Sequence, residues 1–246
     1  MVYFGGSMKK KILLVLLTFL FVGLGFAQEK ILDANSGLFL YLKGSNTKLT
    51  EEDYLTYAKG FHSETYKKYS NDEFEWHDQF NIIKQKCNEE IANADFDSTY
   101  VIVTSIEFGD YDFTNEGFPV SIGEGTFIPL GNNSGYYKAN NYNSIFMNTS
   151  ALNLHDFHKY NFFKFAKDDA KAFLQGRKNS RGNVNREVNL QITYKIASHD
   201  SAEYKNFANL ALSNGYLPVV GIIQSIEVYD AANKNKVKKI GELIIQ

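Results

Sequence analysis

The stretch "REVNLQITYKI", residues 186–196, restricts the fold more than any other part of the chain. Val188, Leu190, Ile192, Tyr194 and Ile196 fall on one parity; Glu187, Asn189, Gln191, Thr193 and Lys195 fall on the other. Successive strand side chains point to opposite faces, so one face of this strand belongs to a core and the other to water. Strands of that kind make antiparallel sheets. An all-parallel sheet is covered on both faces and reads as a continuous apolar run.

The same period of two appears in "YVIVTSIEF", where Tyr100, Ile102, Ile106 and Phe108 share a face. Near the C-terminus "PVVGIIQSIEVYD" and "KVKKIGELII", joined by "AANKN", read as a β-hairpin. Before Asp95 the period is 3.6. Thr50 caps a helix that opens on Glu51, Glu52 and Asp53, and a longer helix from about Asp72 to Ala94 turns Phe80, Ile83, Cys87 and Ile91 inward. "KDDAKAFLQG" and "DSAEYKNFANLALSNG" read as two further helices; in the second, Asp200 and Glu203 make a capping-box start and Gly215 the stop. The expected class is α+β: N-terminal helices (about 48–95) packed on a mainly antiparallel β-sheet (about 99–246), ending in a C-terminal β-hairpin. With no long linker, repeat or low-complexity segment, residues 28–246 read as a single domain.

The first residues carry an export signal. Lys9, Lys10 and Lys11 precede an apolar run over 12–26, and small residues at Gly25 and Ala27 suit cleavage after Ala27. Residues 1–7 read as an upstream extension. The run is shorter than the roughly 20 residues a spanning helix needs, so no membrane span is expected after cleavage. Removing 1–27 takes three lysines and no acids, which leaves 23 basic against 28 acidic side chains and a net charge of −5. That balance argues against nucleic acid as a partner. Cys87 is alone, so no internal disulfide can form, and its place on a helix face makes it a buried hydrophobe. Phe, Tyr, Asn, Lys and Ile are abundant while Arg, Trp and Pro are scarce, which reflects AT-rich codons as much as function.

Two places could carry function. The first is "EFGDYDFTNEGFPV", residues 107–120, with Glu107, Asp110 and Asp112 close together. Ile106 and Phe108 are even and Tyr111 and Phe113 odd, so a bulge at Gly109 and Asp110 is expected to restore the facing, with "TNEG" as the hairpin turn. Carboxylates two apart on one strand face stand ~7 Å from each other, near the separation of paired glycosidase acids. A cation would need them to converge, and the spacing lacks the glycine and distal glutamate of an EF-hand loop. The second place is "GRKNSRGNVNREV", which holds all three arginines, Arg177, Arg181 and Arg186, beside Lys178. A planar guanidinium fork suits a phosphate or an acidic glycan; Arg186, on the parity of Val188, is expected to pair with Asp110 or Asp112.

Other signals are thinner. "HDFH" sets His155 and His158 around Asp156 without the further ligands zinc needs, and "GEG" at 123–125 is a lone glycine pair. Neither these nor any nucleophile elbow, Walker loop or CxxC motif specifies a metal, a cofactor or a catalytic residue. "FGDYDF" followed by "GFPV" resembles a signature of uncharacterised exported bacterial proteins grouped as a domain of unknown function. The resemblance runs from about Thr99 to the C-terminus and takes in "NREVNLQITYKI" and "SIEVYD…KKIGEL". It implies export, to a periplasm or outside the cell, and transfers neither activity nor functional residues. The expected role is a non-enzymatic module that binds a cell-envelope component or a protein partner. The alternatives are a carbohydrate- or ester-active hydrolase using Glu107, Asp110 and Asp112, and an anion or polysaccharide binder using the 177–186 loop.

Overall fold

The computed structural model of the chain describes residues 30–134, 144–230 and 238–245. The export segment, most of the Asn- and Tyr-rich stretch 131–144 and the turn "AANKN" lie outside them. Among the described residues there are six α-helices and nine strands, an α+β fold. The helices are α1 (Ala34–Ser45), α2 (Glu51–Phe61), α3 (Ser63–Tyr69), α4 (Glu73–Ala92), α5 (Lys167–Gly176) and α6 (Ala202–Ser213).

The main sheet runs in the order β1-β2-β7-β8-β5-β4: β1 (Lys30–Ile31), β2 (Thr99–Glu107), β7 (Glu187–Ile196), β8 (Tyr216–Asp230), β5 (Thr149–His155) and β4 (Phe127–Pro129). The last strand, β9 (Lys238–Glu242), completes the C-terminal hairpin with β8. A second, two-stranded sheet joins β3 (Gly117–Pro119) to β6 (Phe162–Lys164). Most pairings are antiparallel, but β1–β2 and β5–β8 are parallel. The second of these was not readable because β5 is buried along almost its whole length and so does not alternate.

Strand β7 alternates as its sequence dictates: Val188, Leu190, Ile192, Tyr194 and Ile196 are all buried. They share a core with Phe108, Phe118 and Phe163; the rings of Phe118 and Phe163 each stack on that of Phe108 with centroids 5.0 Å apart. The helical layer has its own cluster around Tyr57, Phe146, Ile83 and Cys87. The two are joined, since Leu40 of α1 belongs to the sheet core and Leu217 of β8 to the helical one. Helix α6 covers the other face of the sheet at one end, with Phe207 and Ala211 against Val220.

Thr50 caps α2 in a complete capping box with Asp53. Asp53 also accepts from the Ser144 hydroxyl at 2.8 Å and the Ile145 amide at 3.1 Å, which ties α2 to the chain entering β5. Three local expectations change. Helix α1 precedes the expected helical region; its Gly37 lets the helix approach β5, because a β-carbon there would lie 3.0 Å from the Ser150 Cβ. The cap of α6 is Ser201, not Asp200, with the hydroxyl accepting from the Tyr204 amide at 3.1 Å. The third concerns the acidic hairpin, described next.

Candidate functional site

The carboxylates of the acidic stretch do not converge. The expected extra residue is present: the register slips by one between the Phe108–Val120 and Asp112–Gly117 bridges, so residues 109–111 face only 118 and 119. Tyr111 thereby returns to the core beside Phe108, while the Gly109 amide donates to the Pro119 carbonyl at 2.8 Å. The turn closes between Asp112 and Gly117, one residue earlier than "TNEG" implies, and Phe113 is left 73% exposed at its tip. Asp112 caps this turn, accepting from the Asn115 side chain at 2.7 Å and from the amides of Thr114 and Asn115. Those bonds, the Asn115 side chain first, hold its carboxyl below the usual range. Asp110 is 97% exposed and pairs with Arg186 at 2.8 Å. Glu107 stands opposite Glu187 on the sheet surface. The three carboxylates thus stand in three separate settings, which is not the arrangement paired acids need.

The arginines divide in the same way. Arg177 is not part of an exposed anion loop: its side chain is only 2% exposed. Its guanidinium is ion-paired to Asp230, donates to the Glu187 carbonyl and stacks 4.1 Å over the Phe173 ring. A buried guanidinium demands such partners, and these come from β7, β8 and α5. Arg186 also donates to the Gly109 carbonyl at 2.6 Å and fastens the acidic hairpin to β7. Only Lys178 and Arg181 remain exposed, on a tight loop whose backbone is held by the Asn179 side chain.

A cleft of about 500 Å³ forms elsewhere, from segments far apart in the chain. One wall is the turn 123–126, where Gly125 takes a left-handed φ of 72° and the Thr126 hydroxyl donates to the Gly123 carbonyl at 2.6 Å. Asn153 of β5 donates to the Thr126 carbonyl at 2.9 Å and fixes the turn to the sheet. The floor is the end of β5, where Asp156 sits at φ 58°, a conformation uncommon outside glycine, and directs the chain into the single turn of 3₁₀-helix Phe157–Lys159. The other wall is one face of α6, with Glu203, Asn206, Phe207 and Leu210 at helical spacing.

The weak signals "GEG" and "HDFH" therefore meet in space. His155, Asp156 and His158 line the cleft together with Glu124 and Glu203. Asp156 accepts from Lys159 at 2.8 Å and lies 3.4 Å from the His155 Nε2. Its carboxyl is held below the usual range by Lys159 first, then by the field of His155 and His158. Glu203 is lowered too, by its own backbone amide and the Ser201 hydroxyl first, with His155 assisting and Asp156 opposing. The two carboxylates and the histidine share one electrostatic neighbourhood. Among the described residues no three His, Cys, Asp or Glu side chains come together to hold a metal ion. What this arrangement can do is accept and donate several hydrogen bonds around an apolar wall of Phe207 and Leu210. Helical spacing gives the α6 wall in sequence, but nothing there indicates that it faces 123–126 and 155–158.

Cys87 is fully buried; burial first, with Glu90 and Asp53 adding to it, pushes its thiol up to about 12, which leaves it inert. No helix of the described residues is long and apolar enough to cross a membrane. No curated protein and no solved structure matches the chain. A family model described as "Domain of unknown function (DUF4852)" matches residues 50–176. That span takes in α2 to α5, the acidic hairpin and two of the three cleft segments. It differs from the resemblance read in sequence by including the helical layer from residue 50 and ending before the arginine loop. Over half its length matched, the chain belongs to this family, a domain of unknown function.

Proposed function

We propose that the mature chain is an exported binding module of the cell envelope, and that it seats a polar, carbohydrate-like ligand in the cleft between α6, 123–126 and 155–158. One observation carries this reading: polar side chains from three distant segments converge on one concavity that also offers an apolar wall at Leu210. A sugar presents hydroxyls at its rim and C–H groups on its faces, and this lining is complementary to both. Glu124, Asp156 and Glu203 disfavour an anionic ligand there, so neutral or amine-bearing saccharides are the expected class. Export rests on Lys9 to Lys11 and the apolar run that follows, with Gln28 as the expected first residue of the mature protein.

The test is thermal melting of residues 28–246 with neutral, amine-bearing and acidic oligosaccharides, phosphate, calcium, zinc and EDTA. A ligand that binds only the folded state adds RT ln(1 + [L]/Kd), about 2.7 kcal/mol at a hundredfold excess. A neutral or amine-bearing saccharide should raise the melting temperature of the parent and leave the Glu203→Gln/Asn206→Ala variant unmoved. A shift that survives in the variant places the ligand outside the cleft. A flat saccharide series removes the reading. Lys178 and Arg181 support a second reading, an anion site at the 178–184 loop, and a phosphate shift lost in Arg181→Ala is its signature.

A further inference from the structure

Strand β2 is an edge of the main sheet over most of its length. β1 covers it only at Tyr100 and Val101, and at its far end Val120 bridges to Phe108. The Phe108 amide donates to the Arg186 carbonyl at 3.2 Å, so even-numbered residues of β2 direct their backbone groups at β7. The N–H and C=O groups of Val103 and Ser105 point the other way, and no strand among the described residues meets them. Natural edges are blunted with lysine, proline or a bulge, whereas Val103 here is 61% exposed. At one end of this gap Glu107 stands directly opposite Glu187, a destabilising placement of like charges. Both line a shallow cleft of about 340 Å³ with Ser105, Ile106 and Asn185, and no lysine or arginine among the described residues pairs with either carboxylate.

We propose that this edge takes up an extended peptide of a partner protein as an added strand. Unpaired backbone groups give such a complex its affinity, and side chains at alternate positions give it selectivity. The incoming strand sets apolar or β-branched residues against Ile102, Val103 and Ile106, and a lysine or arginine between Glu107 and Glu187. A second copy of this chain fits the gap poorly. Its own β2 brings β1 and the 108–120 hairpin in the plane of the sheet, and these meet the β1 and Val120 that flank residues 102–107. A free peptide carries no such flanks.

The experiment is fluorescence anisotropy of residues 28–246 with labelled Lys-Val-Thr-Thr-Val-Ile on a Gly-Ser tail, and with its Glu-for-Lys counterpart. The lysine peptide should bind the parent at least tenfold more tightly than the glutamate peptide. Val103→Pro should weaken it at least tenfold while the urea midpoint stays close to the parent's, because proline on an edge deletes only an outward N–H. Glu107→Lys keeps every backbone group and should abolish the charge preference, because the introduced lysine pairs with Glu187, so it decides the matter even if Val103→Pro does not fold. Equal binding of the two peptides, no binding of either, or a folded Val103→Pro that binds like the parent overturns the proposal. So does a concentration-dependent dimer that Val103→Pro dissolves, which would give the edge to a second copy. None of these outcomes bears on the α6 cleft.

Discussion

Arg177, Arg181 and Arg186 lie within ten residues, yet their surroundings assign them different work. Arg177 is held between Asp230, the Glu187 carbonyl and the Phe173 ring, so truncation removes an ion pair, a backbone hydrogen bond and a ring contact together. Breaking a fully buried pair costs about 3–5 kcal/mol; Asp230 is 33% exposed and water can reach it, so about 2–3 kcal/mol is expected for Arg177→Ala. Arg181→Ala should stay within about 0.5 kcal/mol of the parent, as surface changes do. Urea unfolding of both variants checks the contrast, and equal midpoints would show that the buried pair adds nothing. Sequence supplied the reason to expect arginine chemistry here. It could not rank the three, because Phe173 and Asp230, which bury Arg177, come from opposite sides of it in the chain.

Among the elements, legibility followed solvent contact. Strand β7 has one wet face and its alternation was plain, and the capping box of α2 was written in four consecutive residues. Helix α1 was missed for the opposite reason. Its "GLFLYL" segment is buried on nearly all sides, so it shows no polar stripe, and its glycines serve close approaches rather than turns. One of those approaches fixes a pH response. The His199 ring lies against Gly44 of α1, stacks 3.8 Å from the Tyr204 ring of α6 and sits 5.8 Å from that of Tyr41. Burial lowers its pKa to about 4, with Asp200 opposing. The unfolded chain takes up this proton near pH 6.5 and the folded one only near 4, so the stability contribution is full above 6.5 and declines as the pH falls toward 4. Asp53, whose four hydrogen bonds outweigh burial and lower its pKa, adds its own loss only below about pH 4. Urea midpoints at constant ionic strength should therefore fall between pH 6.5 and 4.5 in the parent. In His199→Phe, which keeps an aromatic stack, most of that slope should vanish; a smaller part remains from His62, lowered by burial and Lys86. A variant as steep as the parent would show that His199 is accessible to protons in the folded state.

For the molecule as a whole, the question is whether the helical layer and the sheet unfold together. Their cores interpenetrate: Leu40 leaves α1 for the sheet cluster, Leu217 leaves β8 for the helical one, and Asp53 of α2 binds the chain just ahead of β5. Burying one large aliphatic side chain contributes about 1.5–3 kcal/mol, comparable to a sizeable fraction of a domain's net stability of about 5–15 kcal/mol. Neither layer can lose the other without exposing several such groups, so a partly folded species with only one layer intact is disfavoured. The single tryptophan, Trp76, makes this measurable because it sits in α4, stacked 5.0 Å from Phe80, and reports on the helical layer alone. Far-UV circular dichroism reports on helices and strands together. In urea the two signals should trace one coincident transition, and the chain beginning at Thr99 should fail to give a cooperative one. Tryptophan fluorescence that moves at lower urea than the dichroism would mean that the helices dock on a sheet stable without them. The boundary of the folding unit would then fall near residue 95, and the cleft behind α6, built wholly from residues beyond that point, would persist in the shorter chain.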